Sequence, residues 1–246
     1  MYGNTGLIAD IDLASPQVRD MRLPLETYRA FIGGSGLAAK IFHDRADFTV
    51  DPLSPQSLLI FMNGPLAGVK LSGASRMCAA ARSPLTGTFA DSSCGGYFAP
   101  ALRFAGFDGL VISGKAASPS VLLVENGAVS IEDAADLWGM GIIECTAKLE
   151  ERYGKKSTAL VIGPAGENMI PFACILNEAH HAFGRCGIGA VMGSKRIKAV
   201  VAVNAGKKEM TMADGDAVRA LIRELTPRIR ESLISQVLHD FGSSGN

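Results

Sequence analysis

One pattern of punctuation occurs twice along this chain, and it constrains the fold more than any other feature. The apolar run at residues 58–62 is ended by Gly64-Pro65-Leu66-Ala67-Gly68, and the run at 159–162 is ended by Gly163-Pro164-Ala165-Gly166. Cys94-Gly95 is followed by a helical stretch, a strand and Gly114-Lys115, while Cys186-Gly187 is followed by a helical stretch, a strand and Gly206-Lys207. Both pairs lie roughly a hundred residues apart, the signature of one supersecondary unit present in two copies facing each other. Chance similarity of glycine-rich turns produces the same echo, and the sequence leaves both explanations open.

The elements between these marks are short. Residues 7–13 place Leu7, Ala9, Ile11 and Leu13 on one face and Asp10 and Asp12 on the other, the alternation of a half-buried strand. Further strands are expected at 77–81, 110–112, 171–175 and 199–203, and at 121–124 and 129–131 around the hairpin signal Glu125-Asn126-Gly127. Helices are expected from Pro24 to a break at Gly33-Gly34-Ser35-Gly36, from 37 to 44, after Cys94-Gly95-Gly96 to Ala105, and from 142 to 153, where Gly154 can take the left-handed helix-end conformation. Strands in runs, with helices between groups, argue for an α+β fold of two β-sheets flanked by helices, an α-β-β-α sandwich.

Beyond Lys208 the texture changes: Asp214 can cap a helix carrying an apolar stripe through Val218, Leu221, Ile222, Leu225, Ile229, Leu233 and Val237. Residues 1–208 are therefore expected to form one domain and 209–246 the first helix of a second, truncated, helical one.

Charge excludes some functions. The 24 basic and 24 acidic side chains cancel, so the electrostatic footprint of a nucleic-acid binder is missing. No apolar run spans a bilayer, and Met1-Tyr2-Gly3-Asn4-Thr5 lacks the features of a signal peptide, which predicts a cytoplasmic protein without a membrane partner. Five widely spaced cysteines write neither a disulfide framework nor a CxxC-type metal or cluster site. The 28 glycines matter more, because glycine in a non-repetitive chain marks backbone brought close to something large, such as a ligand.

Three segments have the chemistry to receive an anion. In Ser72-Gly73-Ala74-Ser75-Arg76 a guanidinium follows a small-residue loop and can fork onto a phosphate; a solvated surface Arg is the alternative. Asp91-Ser92-Ser93-Cys94-Gly95-Gly96-Tyr97 sets hydroxyls and bare backbone where a helix is expected to begin, and free N–H groups there attract anions. His180-His181-Ala182-Phe183-Gly184-Arg185-Cys186-Gly187 repeats the design with an Arg beside it. Each alone can be a tight turn; a matched pair suits a ligand with two phosphate-bearing halves. The glycines at 33–36 follow a helix instead of a strand and are read as a helix-breaking turn, not a dinucleotide fingerprint.

Val50-Asp51-Pro52-Leu53-Ser54-Pro55, Gly64-Pro65-Leu66, Ser83-Pro84-Leu85-Thr86-Gly87, Gly95-Gly96-Tyr97-Phe98, Phe104-Ala105-Gly106-Phe107-Asp108, Gly163-Pro164-Ala165-Gly166-Glu167-Asn168 and Gly189-Ala190-Val191-Met192-Gly193-Ser194-Lys195 resemble, in order, the N-terminal domain of the aldehyde ferredoxin oxidoreductases. The resemblance implies a base on which two molybdopterins chelating one tungsten, or in some relatives molybdenum, lie with their phosphates bridged by magnesium. It implies cofactor contacts from Arg76, Ser93, Cys94, Gly95, Gly96, His181, Ala182, Gly184 and Arg185, and magnesium contacts at Ser93 and the Ala182 carbonyl. In the best-known members Asn stands at the position of Ser93 and Arg at that of His181. The family's iron-sulfur cluster ligands, Asp-x-x-Gly-Leu pterin motifs and acid-base residues belong to later domains and do not occur here. The implied partners are ferredoxin or another electron carrier, the missing C-terminal domains or a second subunit, and further copies in a homo-oligomer. A split enzyme, a non-catalytic pterin- or phosphate-ligand binding module and, more distantly, a nicotinamide dehydrogenase are the rival readings.

Overall fold

The computed structural model describes residues 2–204 and 210–242. Gly206-Lys207, which end the sequence echo, and the domain boundary expected at 208 lie outside the described residues.

The first sheet contains β1 (Ile8–Asp12), β2 (Gln17–Met21), β3 (Leu59–Asn63), β4 (Met77–Arg82), β5 (Phe89–Cys94) and β6 (Gly109–Ser113), in the order β2-β1-β6-β3-β4-β5. The second contains β7 (Ser120–Glu125), β8 (Ala128–Asp133), β9 (Ser157–Val161), β10 (Ile175–Asn177), β11 (His181–Phe183) and β12 (Ile197–Val203), in the order β11-β10-β9-β12-β7-β8. Renumbered from its own first strand, each sheet reads 2-1-6-3-4-5. In both, the first and sixth strands pair in parallel and every other pair is antiparallel. Six strands repeating order and direction make the sequence echo a duplicated unit.

Eight helices are seen among the described residues: α1 (Leu25–Phe31), α2 (Gly34–Arg45), α3 (Phe98–Phe104), α4 (Ile142–Tyr153), α5 (Pro164–Glu167), α6 (Ile188–Ser194), α7 (Gly215–Glu231) and α8 (Leu233–Phe241). Leu37, Ala38, Ile41 and Phe42 of α2 close the outer face of the first sheet over Ile8, Ile60, Met62 and Val111. Cys145 and Leu149 of α4 close the second sheet over Val121, Val161, Ala199 and Val201. The inner faces share one core with α3 and α6, and Phe61 meets Phe183 across it at 6.1 Å between ring centres.

The inner helices cross between the halves. α3 crosses from the first sheet to pack on β9 and β12 of the second, while α6 reaches across to β3 and β4 of the first and keeps its contact with β12 of its own sheet. Close packing there depends on bare backbone, since a Cβ on Gly193 of α6 would stand 1.9 Å from the Gly166 carbonyl oxygen. Two buried charges help fix the arrangement. Lys198 pairs with Glu167 and donates to the Met140 carbonyl at 2.8 Å. Arg103 pairs with Asp108 at 3.1 Å and donates to the Gly64 carbonyl at 2.9 Å; Asp108 in turn accepts the amides of Thr5 and Gly6, both at 2.8 Å.

Several expectations are corrected. The strand expected at 171–175 begins only at Ile175, because residues 170–173 form a turn closed by Ala173 N donating to Ile170 O. Gly34 and Gly36 lie inside α2; Ile32 and Gly33 make the break, with the amides of both bonded back to the preceding turn. Ser93 and Cys94 end a strand instead of opening a helix, and His181 to Phe183 form an edge strand. The C-terminal helix is two: Asp214 caps α7 by accepting the Ala217 amide at 2.8 Å, but the ladder stops at Ser232, whose backbone is extended at ψ 127.

Candidate functional site

The crossing helices determine where the two segments expected to receive an anion lie. Residues 95–97 carry the chain from the end strand of the first sheet toward α3, and residues 184–187 carry it from the end strand of the second toward α6. Those end strands, β5 and β11, lie against one another, so the crossovers meet. His181 Cδ2 would stand 3.5 Å from a Cβ on Gly95, and the Asn177 side chain donates to the Gly95 carbonyl at 2.6 Å.

What the corners offer is mostly backbone. Among the described residues, the amides of Gly95 and Gly96 and those of Gly184, Arg185, Cys186 and Gly187 make no hydrogen bond within the chain. Ser93, His181, Ala182, Gly184 and Arg185 are exposed, and Gly95 and Gly96 are half-buried. Unbonded N–H groups on two adjoining bends, all but that of the buried Gly187 on partly or fully exposed residues, have the chemistry to receive anionic oxygens.

Arg76 extends the first corner. Its guanidinium donates to the Ser93 carbonyl at 3.1 Å, and both residues line a cleft of about 220 Å³. The opposite wall is Gly33, Gly34 and Ser35, the start of α2, which no side chain caps. A guanidinium facing a helix N-terminus makes that cleft positive. Arg185 is exposed and has no hydrogen bond or ion pair among the described residues, and it does not line the cleft that Arg76 lines.

Cys94 contributes its main chain. Its thiol is buried and pushed up to about 11, desolvation outweighing the opposing influence of Arg76 and Asn177. A thiol in that state is protonated near neutrality and is a poor metal ligand. Among the described residues no group of three or more His, Cys, Asp and Glu side chains is placed to hold a metal ion. Ser93 and Ala182 offer neutral oxygens only, so a divalent cation there would draw its charge balance from the ligand's own phosphates.

Two contacts were not legible in the sequence. Glu178 accepts the Tyr97 amide at 3.1 Å, so one N–H of the first corner is taken by the chain itself. Burial raises that carboxyl above the ordinary range, against the pull of the Tyr97 amide and the two neighbouring histidines. Asn177 lies against Gly96, where a Cβ would meet its Nδ2 at 2.5 Å. The only available signal was adjacency to His180-His181, which does not reveal a partner about eighty residues away. The contribution of Gly33-Gly34-Ser35 was also missed, because those residues were read as a break and not as a helix start.

Comparison with known proteins follows the same lines. Residues 8–204 match the family described as "Aldehyde ferredoxin oxidoreductase, N-terminal domain". The tungsten-containing aldehyde ferredoxin oxidoreductase of Pyrococcus furiosus is 36% identical over 236 residues, covering 96% of this chain and 39% of that protein. An aliphatic sulfonate oxidoreductase, WOR-like subunit, from the same organism is 34% identical over 240 residues, covering 91% of this chain and 38% of its own length. Among solved structures, the active-site complex BamBC of benzoyl coenzyme A reductase with 1,5-dienoyl-CoA superposes with a TM-score of 0.88 at 35% identity, over 93% of this chain and 35% of that one. The chain therefore spans about two fifths of the curated relatives it matches.

Proposed function

We propose, from the premise that this chain belongs to the aldehyde ferredoxin oxidoreductase family, that it is the N-terminal, cofactor-holding part of a tungsten- or molybdenum-dependent bis-molybdopterin oxidoreductase. One observation carries the reading: adjoining crossovers of a duplicated unit present two sets of unbonded amides, beside a cleft bearing Arg76. A ligand with two phosphate-bearing halves matches that doubled geometry.

Arg76, Ser93 and the main chain of Cys94, Gly95 and Gly96 would hold one half of the cofactor. His181, Ala182, Gly184 and Arg185 would hold the other, with Ser93 and the Ala182 carbonyl as magnesium contacts. When bound, the metal-pterin group supplies the redox chemistry; the protein supplies phosphate clamps and orientation. The complete enzyme would oxidise an aldehyde with water to a carboxylate and pass electrons through an iron-sulfur cluster to ferredoxin or another carrier. Cluster ligands and acid-base residues would come from further domains or a second subunit, and α7 and α8 would begin that second region. Neither helix has a buried side chain, and Leu233, Ile234 and Phe241 are each more than 60% exposed.

The BamBC likeness bears on substrate. Identity to that structure and to the aldehyde oxidoreductase is nearly equal, 35% and 36%, so the likeness of this domain favours neither an aldehyde nor a CoA thioester as substrate.

The test is to isolate the native assembly containing this chain, determine tungsten, molybdenum and iron, and weigh every polypeptide present. About one tungsten or molybdenum per chain, with aldehyde- or CoA-thioester-dependent dye reduction, is expected. An intact assembly devoid of both metals overturns the cofactor assignment, and turnover by the 246-residue chain alone overturns its dependence on further domains.

A further inference from the structure

The turn joining β10 to β11 has the wrong residues for its shape. Its central pair, Glu178 at φ 54 and Ala179 at φ 60, is left-handed, and His180 N closes it onto Asn177 O at 3.2 Å. Turns of that hand belong to Asn and Gly, because a Cβ otherwise crowds the next carbonyl. The β7–β8 hairpin obeys the rule with Asn126 at φ 51 and Gly127 at φ 79. Nothing within the β10–β11 hairpin requires a glutamate.

Contacts with the opposite half do. Glu178 Oε1 accepts the Tyr97 amide at 3.1 Å, and wholly buried Asn177 donates Nδ2 to the Gly95 carbonyl at 2.6 Å. Asn177 Oδ1 is buried and has no partner, so what this side chain offers is its amide group, turned to the Gly95 carbonyl and the Cys94 thiol of the opposite half. Between the two anchors lies Gly96, at φ 90 and pressed under Asn177 too closely for any Cβ. The bend is thus held at both ends by groups that leave the Gly95 and Gly96 amides unbonded.

We propose that Asn177 and Glu178 are positioning residues, which clamp the Cys94–Tyr97 bend from the other half of the molecule and keep the Gly95 and Gly96 amides open to an anion. The identity of that anion as a cofactor phosphate rests on the reading above; the clamp does not. A strained turn is kept because the geometry it imposes is used across the interface.

The test uses the full chain labelled with ¹⁵N. It follows amide exchange at Gly95, Gly96 and Tyr97, and the shifts those amides undergo on titration with inorganic pyrophosphate. Asn177→Ala and Glu178→Ala are expected to speed Tyr97 exchange at least tenfold and weaken pyrophosphate at least tenfold. Glu178→Gln, whose amide oxygen still accepts a hydrogen bond, is expected to retain Tyr97 protection and bind pyrophosphate at least as well as the unsubstituted chain. Glu178 is only half-buried, so its two variants decide the matter even if Asn177→Ala does not fold. Unchanged Tyr97 exchange in Glu178→Ala, or no rescue by Glu178→Gln, overturns the clamp. Equal pyrophosphate binding in every variant overturns it too and leaves the anion site standing. Exchange that follows the expected pattern while pyrophosphate shifts no corner amide supports the clamp and removes the anion reading.

Discussion

Replacing Lys195 with Met should change how stability depends on pH. Lys195 closes α6, is wholly buried, and donates to the carbonyls of Pro55, Ser57 and Gly114 at 3.2, 2.5 and 3.1 Å. All three belong to the first half, so one ammonium ties the second half to it without a carboxylate in contact. Burial lowers its pKa from 10.5 to about 8, against a weaker pull from Asp12. Between those values the unfolded chain holds a proton that the folded chain has released. Stability from this group is therefore fully present above 10.5 and lost as pH falls through about 8. At ~1.4 kcal/mol per pH unit the whole effect is about 3 kcal/mol, most of it developed between pH 7 and 10. Cys78, Cys94 and Cys145, raised by burial to about 12, 11 and 11, act in the opposite sense at alkaline pH. They are common to both proteins and cancel in the difference. Urea unfolding at pH 7 and pH 10 should show the stability of the unsubstituted chain rising relative to Lys195→Met by about 2–3 kcal/mol. A difference that stays flat, or falls, refutes the picture of a charge held by carbonyls alone.

Gly193→Ala places a methyl against the backbone of Gly166, not against a movable side chain; a loss of at least about 3 kcal/mol, or failure to fold, should appear in thermal melts. Arg76→Ala should leave the melting temperature nearly unchanged, since the side chain is exposed and makes one bond, yet weaken pyrophosphate about tenfold or more by calorimetry. Arg103→Met leaves Asp108 buried without its cation and should cost about 3–5 kcal/mol in denaturant titration, with little change in pyrophosphate affinity. Leu233→Glu combined with Ile234→Glu should reduce self-association of the 246-residue chain in sedimentation, because the apolar face of α8 is uncovered; unchanged association would mean that another surface is responsible.

Local chemistry was read well where it is local. The helix at 142–153 matches α4, the Asn126-Gly127 hairpin is present, and Asp214 caps the helix it was expected to cap. Strands β2 and β11 went unrecognised because they are sheet-edge strands with mostly exposed side chains, which carry no apolar alternation. The glycines were read correctly as sites of close approach, but Gly187, Gly189 and Gly193 approach the chain's own carbonyls, those of Pro171, Cys174 and Gly166. A glycine announces that something must come near and says nothing about what.

The order of motifs and the family were therefore written in the chain, because each depends on neighbouring residues or on spacing, whereas the repeat was only an echo until the two sheets proved to share one strand order. Whether the corners Ser93–Gly96 and His181–Gly187 meet was not written there, since that follows from α3 packing on the second sheet and α6 on the first. That crossing depends on burying two apolar helix faces in one shared core. Only folding brings Asn177 and Glu178 beside Gly95 and Tyr97, because contacts across so many residues are chosen by packing rather than by local preference.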